Sequence, residues 1–300
     1  MREALMPERK LAPGQYWPAL TNCCAKATKR LPDFSGAAEA DKLAPKVKGQ
    51  LFVANRVVKI GSAAVLAGTM LSAWAGPPFV TDDPEPVDYQ HYETYLAWEQ
   101  TGTVGGNTSS PLVEVNYGAL PDVQLSVTLP YAFSSPAGQP AQQGMGDMVF
   151  GAKYRFQQET GSRPMMAAYP VVVAATGNAA KGLGNGGAQI FLPLWLQKNW
   201  GSWHTYGGGG YWINRAPGAG NHWYFGWAML YDVTERLSLG GEVYHATDQR
   251  PYDNASNGYS LGAIYTLDRH NRLLFSAGRA VVEISSQSSF SLYAAYGLTW

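Results

Sequence analysis

D-M-V-F-G-A-K-Y-R-F-Q, residues 147–157, alternates in character from one side chain to the next. Asp147, Lys153, Arg155 and Gln157 fall on one parity, and Met148, Phe150, Ala152, Tyr154 and Phe156 on the other. A period of two is the mark of an extended strand, whose successive side chains point to opposite faces. One face here carries charges of both signs. A packed sandwich core would leave such charges unsolvated, at a cost of several kcal/mol each. A sheet closed around a polar lumen, with its apolar face toward lipid, accommodates both faces.

The same alternation recurs to the end of the chain. Outward from 147–157 it runs through 88–100, 111–118 and 122–131 on one side. On the other it runs through 165–175, 188–198, 202–213, 222–231, 236–246, 258–267 and 271–280. It is weaker in 165–175 and 202–213. The last segment, S-F-S-L-Y-A-A-Y-G-L-T-W, places Phe290, Leu292, Ala294, Tyr296, Leu298 and Trp300 on one face. Turn-forming stretches such as S-S-P-A-G-Q-P, A-P-G-A-G-N and D-N-A-S-N-G separate the segments. Twelve segments at about nineteen residues each, loops included, match strands long enough to cross a bilayer. The fold expected is an all-β, antiparallel up-and-down transmembrane barrel of about twelve strands over residues 88–300.

Composition agrees. Residues 76–300 hold 8 Trp, 17 Tyr and 8 Phe with few charges, and no apolar run there is long enough for a spanning helix. Their 11 Lys+Arg stand against 17 Asp+Glu, whereas residues 1–75 carry 11 against 5. The two parts of the chain thus differ in character as well as in sign. Both cysteines, Cys23 and Cys24, lie in the first part. As neighbours they make neither a disulfide framework nor a metal site.

The first part reads as an address label. Arg56 and Lys59 precede the uncharged run I-G-S-A-A-V-L-A-G-T-M-L-S-A-W-A, and Ala73 and Ala75 form an A-x-A site before Gly76. These are the parts of a secretory signal peptide over 56–75, cleaved at Gly76. Residues 1–55 read as an unstructured upstream extension or an early start. Residues 76–87, G-P-P-F-V-T-D-D-P-E-P-V, hold Asp82, Asp83 and Glu85 between prolines. Proline withholds a ladder donor, so this segment should lie outside the strands. Two positions are open to it: a plug folded into the lumen, its carboxylates meeting Lys153 or Arg155, or a solvated tail.

Three blocks, G-P-P-F-V-T-D-D-P-E-P-V-D at 76–88, A-L-P-D-V-Q-L-S-V-T-L-P-Y at 119–131 and G-M-G-D-M-V-F-G-A-K-Y-R-F at 144–156, resemble the family named for the meta-pathway of phenol degradation. The resemblance covers most of 76–300. It implies a Gram-negative outer-membrane barrel of transporter type, concerned with aromatic or other apolar compounds. A C-terminal strand ending in Tyr296, Leu298 and Trp300 resembles the signal read by the barrel assembly machinery.

The inward parity selects Glu93, Glu99, Glu114, Asp147, Lys153, Arg155, Arg236, Glu242 and Arg272 as lumen charges able to set a pore's field. Their mixed sign predicts no strong ion preference. G-N-A-A-K-G-L-G-N-G-G at 177–187 lacks the G-K-[ST] ending of a phosphate loop and reads as a mobile surface loop. G-G-G-G at 207–210 suggests a bend, a close approach inside the lumen, or a strand gap through which apolar solutes leave sideways. His91, His204, His222, His245 and His270 are dispersed, which argues against a metal site. Ser202 beside His204 is a weak catalytic candidate. The expectation is a monomer in outer-membrane lipid, passively passing a small, apolar or aromatic solute. No catalytic residue, cofactor, metal or nucleic acid is expected. A closed structural barrel and an outer-membrane hydrolase are the alternatives.

Overall fold

The computed structural model describes residues 78–103, 105–216, 218–247, 255–282 and 289–300. The signal-peptide reading, with Ala73, Ala75 and Gly76, and the whole of 1–55 lie outside the described residues.

The strands form one antiparallel sheet that closes on itself. In chain order they are β1 (Tyr92–Thr103), β2 (Gly106–Leu120), β3 (Val123–Pro136), β4 (Gln142–Met145), β5 (Met148–Gln157), β6 (Met165–Ala168), β7 (Val171–Ala174), β8 (Gln189–Trp200), β9 (Trp203–Asn214), β10 (His222–Thr234), β11 (Leu237–Ala246), β12 (Ser256–Thr266), β13 (Asn271–Val282) and β14 (Ser289–Thr299). β4 and β5 are halves of one stave broken at Gly146–Asp147, and β6 and β7 halves of another broken at Tyr169–Pro170. The barrel therefore has twelve staves. Each of the twelve alternating segments of the sequence supplies one.

The seam is β14 on β1, in register from Glu93↔Thr299 to Gly102↔Phe290. Two further backbone bonds extend it past the ladder, Tyr92 N–H to the Trp300 carbonyl at 2.8 Å and Trp300 N–H to the Tyr92 carbonyl at 3.0 Å. Closure leaves no open edge, which is what lets a sheet cross a bilayer. At this end most connections are short: residues 121–122, 201–202 and 235–236 join β2–β3, β8–β9 and β10–β11, and the longest there is 158–164 between β5 and β6. Longer connections, 175–188 among them, lie at the other end. Short turns at one end and longer loops at the other are usual for such barrels.

Even positions of β2 and β3 and odd positions of β1, β5 and β8 point inward. Leu96, Trp98, Leu125, Phe150, Tyr154, Leu192 and Leu194 are exposed on the outer wall, as lipid contact requires. Outward aromatics gather near both rims. Trp203 and Tyr231 lie 4.6 Å apart at the short-turn end, and Tyr211 and Trp223 4.9 Å apart toward the other.

The glycine run does not open a gap. Trp203–Asn214 pairs with β8 and Trp203–Trp212 with β10 without interruption. A Cβ on Gly208 would stand 2.0 Å from the Leu194 carbonyl oxygen, and one on Gly209 2.4 Å from the Phe225 ring. Glycine lets neighbouring backbone and rings close over the strand. The sideways exit expected at 207–210 is thereby overturned.

The 177–187 loop is not mobile surface either. Gly182–Asn185 is buried, with Leu183 only 2% exposed. Asp147, in the stave break, holds the loop down. Its Oδ1 accepts from Gly177 N–H at 2.8 Å and its Oδ2 from Asn185 N–H at 2.6 Å. Each bond to a charged acceptor is worth about 1.5–3 kcal/mol. Replacing Asp147 with Ala should thus raise the rate of tryptic cleavage after the exposed Lys181 by on the order of a hundredfold. An unchanged cleavage rate on folded protein would show that the loop is held by something else.

Candidate functional site

Residues 78–87 do not join the wall. They run inside the barrel, and Thr81, Asp83 and Pro84 are fully buried there. Near the short-turn end Tyr89 makes a single bridge to Gly118, where a Cβ would stand 1.9 Å from the Asp88 carbonyl oxygen. The proline spacing explains why the segment stays out of the ladder. Pro84 and Pro86 have no N–H to give, so the chain remains extended and its polar atoms turn to side chains of the wall.

Those contacts span the lumen. Val87 N–H donates to Gln124 Oε1 on β3 at 2.9 Å. Lys153 Nζ on β5 lies 3.2 Å from Asp82 Oδ1 and 3.6 Å from Asp83 Oδ1, and Arg155 Nη1 lies 4.0 Å from Glu85 Oε1. On the opposite wall, Glu242 of β11 accepts from Val80 N–H at 3.0 Å and Thr81 N–H at 2.8 Å, and from the Ser260 hydroxyl at 2.6 Å. The Ser276 hydroxyl on β13 donates to the Pro78 carbonyl at 2.6 Å. The Thr81 hydroxyl lies 3.4 Å from that of Tyr224 on β10.

Apolar side chains fill the lumen on both sides of this belt. Toward the short-turn end, Tyr95, Tyr206, Leu230, Ile264, Leu274 and smaller residues form one cluster, with Phe79 packed on it. Toward the long-loop end, Phe191, Trp195, Tyr224, Tyr244 and Ala246 form another, with Val80 and Trp212 packed on it. Neighbouring residues of the segment thus face opposite halves of the barrel.

The charges expected to line the wall divide into several kinds. Lys153, Arg155 and Glu242 meet the segment, and so do Asp82, Asp83 and Glu85 from its side. Arg155 also bonds Asp122 at 2.7 Å through Nε. Glu93 and Arg272 pair with each other on adjoining parts of the wall, and Arg272 also reaches the Tyr95 hydroxyl. Glu114 accepts from Asn116 Nδ2 at 2.9 Å. Glu99 lies inward, opposite Ser110 and Tyr293. Two residues are elsewhere. Asp147 clamps the 177–187 loop, and Arg236 is exposed in the turn between β10 and β11, where it lines nothing. Tyr296, Leu298 and Trp300 lie on the outer face of β14 and at its end. Gln124, Ser260, Ser276 and Tyr224 hold the segment, yet nothing singled them out beyond inward parity.

Among the described residues His204 has no hydroxyl partner for nucleophilic chemistry. Its Nδ1 lies 2.9 Å from Asn199 Oδ1 and its Nε2 2.8 Å from Asp232 Oδ2, which occupies both nitrogens. Asp232 in turn accepts from the Ser238 hydroxyl at 2.6 Å. The contact is with two rim side chains rather than Ser202.

Burial raises the Glu85 carboxyl to about 7, against the pull of Arg155 and Lys153. It also pushes Asp83 well above the ordinary carboxylate range, with Lys153 opposing. A carboxyl whose pKa rises on burial takes up a proton as the segment docks. Its contribution is fully present below the free value of about 4.5 and is lost as pH climbs through about 7. Both groups act in the same direction. Ion flow through the barrel should therefore be lowest near pH 5 and grow toward pH 8, reversibly, in bilayer recordings on one preparation. Flow that falls with rising pH would contradict this sign.

A family model described as "Putative MetA-pathway of phenol degradation" matches residues 54–292. Among solved structures, the crystal structure of the COG4313 outer membrane channel from Pseudomonas putida F1 is similar at 15% identity and a TM-score of 0.60, over 73% of this chain and 98% of that one. The translocator domain of the autotransporter NalP from Neisseria meningitidis is similar at 12% identity and a TM-score of 0.49, over 71% and 89%. No curated protein matches.

Proposed function

The chain belongs to the phenol-degradation meta-pathway family, and from that premise we propose that it is an outer-membrane channel for small aromatic or apolar solutes. Passage is passive and runs down the solute's gradient. The short-turn end faces the periplasm, and residues 78–87 act as a plug. One observation carries this reading: a segment that is no part of the wall crosses the lumen and is held by side-chain charges rather than by strand pairing. Strand pairing over a dozen residues is permanent on the scale of transport. A handful of ion pairs and hydrogen bonds is a reversible fastening.

The apolar clusters on either side of the plug favour an uncharged ring over an ion as cargo. The Pseudomonas putida F1 protein of similar fold is itself described as an outer membrane channel. The outer leaflet of lipopolysaccharide is the barrier that such a channel relieves. Cells with that leaflet intact should therefore take up a labelled monoaromatic several-fold faster, at low external concentration, when they express this protein. A rate equal to that of cells carrying an empty vector would count against the proposal and favour a purely structural barrel.

A further inference from the structure

The plug is fastened unevenly. Among the described residues its hydrogen bonds and ion pairs reach β3, β5, β10, β11 and β13, and none reaches β8 or β9. On that side the wall presents polar atoms with no partner. Trp195 Nε1, Gln197 Nε2, Gln197 Oε1 and the Tyr206 hydroxyl are all buried and unbonded. Trp195 and Gln197 are successive inward positions of β8, and Tyr206 is the cross-strand partner of Gln197 on β9. The three side chains make one continuous row. Each is at most 2% exposed. Asp83 Oδ2 on the plug is also unbonded.

Buried polar atoms are nearly always satisfied, and four orphans on adjoining side chains mark a place where something else belongs. The row offers an indole N–H, an amide NH2, an amide carbonyl and a hydroxyl. Its surroundings are aromatic. Phe191 stacks on Trp212 at 4.5 Å between centroids, meets Trp195 edge-on at 6.2 Å and Tyr224 at 6.1 Å, and Tyr224 lies 6.0 Å from Tyr244. Gln197 sits between this aromatic group and the cluster around Tyr206 on the other side of the plug.

We propose that the Trp195–Gln197–Tyr206 row is the binding station for a neutral aromatic molecule bearing a hydroxyl group, entered as the plug shifts away from β8 and β9. The ring lies among Phe191, Trp212 and Tyr224, and its hydroxyl both accepts and donates within the row. The proposal rests on the channel reading and narrows its cargo: a bare hydrocarbon leaves the row unsatisfied, and a carboxylate meets Asp82, Asp83 and Glu242 at like charge.

The test is heteronuclear NMR on the full-length protein purified from outer membranes in detergent, with 15N-labelled indoles. The Trp195 indole signal is identified by its absence in Trp195→Phe. Phenol and toluene serve as probes of similar shape with and without the hydroxyl. Phenol should shift the Trp195 signal in a saturable way, toluene at least tenfold more weakly. Gln197→Leu, checked for heat-modifiable migration, should lose that preference by weakening phenol alone. A Trp195 signal unmoved by phenol, or equal binding of both probes in native protein and in Gln197→Leu, overturns the station. Cellular uptake separates the two proposals. Uptake without a phenol-specific shift removes the station only, and a shift without uptake removes the channel reading only.

Discussion

A barrel lacking residues 78–87 should pass small hydrophilic molecules that the intact barrel excludes. Proteoliposomes carrying the truncated form should swell in five- or six-carbon sugars on the order of tenfold faster than those carrying the intact form. Eight strands enclose just enough space for side chains, and twelve enclose more. In this barrel the extra space is taken by Phe79, Val80, Thr81, Asp83 and Pro84. Removing them leaves Lys153, Arg155 and Glu242 facing water, and charged walls hydrate. The apolar cluster around Tyr206 and Leu230 loses the ring of Phe79 that packs on it. The wall itself should survive, since none of its ladders uses the segment.

Lys153→Met should release the same segment without removing it. Lys153 is 4% exposed at the side chain and Asp83 not at all. Taking one partner from a buried ion pair costs about 3–5 kcal/mol, because the other charge stays buried without compensation. A shift of that size moves a docked-to-released ratio roughly a hundredfold or more. The effect should be larger at pH 8 than at pH 5.5, where Asp83 and Glu85 can be protonated instead. Lys153→Arg should keep most of the docking. Gly226→Val gives an independent route to release, since a Cβ there would stand 2.1 Å from the Thr81 hydroxyl. If both variants retain the closed state while the barrel remains folded, the segment is held by something other than these contacts.

Much of the architecture could be read along the chain because a barrel repeats one local rule. Each stave has a period of two, and twelve periods give twelve staves. The two stave breaks were not visible. Tyr169–Pro170 breaks a segment whose alternation was weak, while Gly146–Asp147 lies at the edge of the clearest one. Parity offered Asp147 as a lumen charge, but its carboxylate holds Gly177 and Asn185, thirty or more residues away. The same distant bonds bury a loop whose glycines read as mobile. Arg236 was misplaced for a local reason: alternation does not say where a strand stops. β10 runs on to Thr234 through a register shift after Asp232, which puts Arg236 in the turn. Glycines at 207–210 looked like weakness and are instead the floor beneath Phe225, Trp227 and Trp195. The unsatisfied row on β8 and β9 had no sequence signal, since an unbonded atom is a property of what surrounds it.

Conductance across a planar lipid bilayer, recorded for the barrel beginning at Gly76 and for the same barrel beginning at Asp88, tests the plugged lumen most directly. The expected record is brief, rare openings from the first and large, steady steps from the second, with the first rising in frequency from pH 5 to pH 8. Equal steps from both would mean that residues 78–87 do not close the lumen. Silence from both, with each barrel still folded on a heat-modifiability gel, would mean that no aqueous path exists.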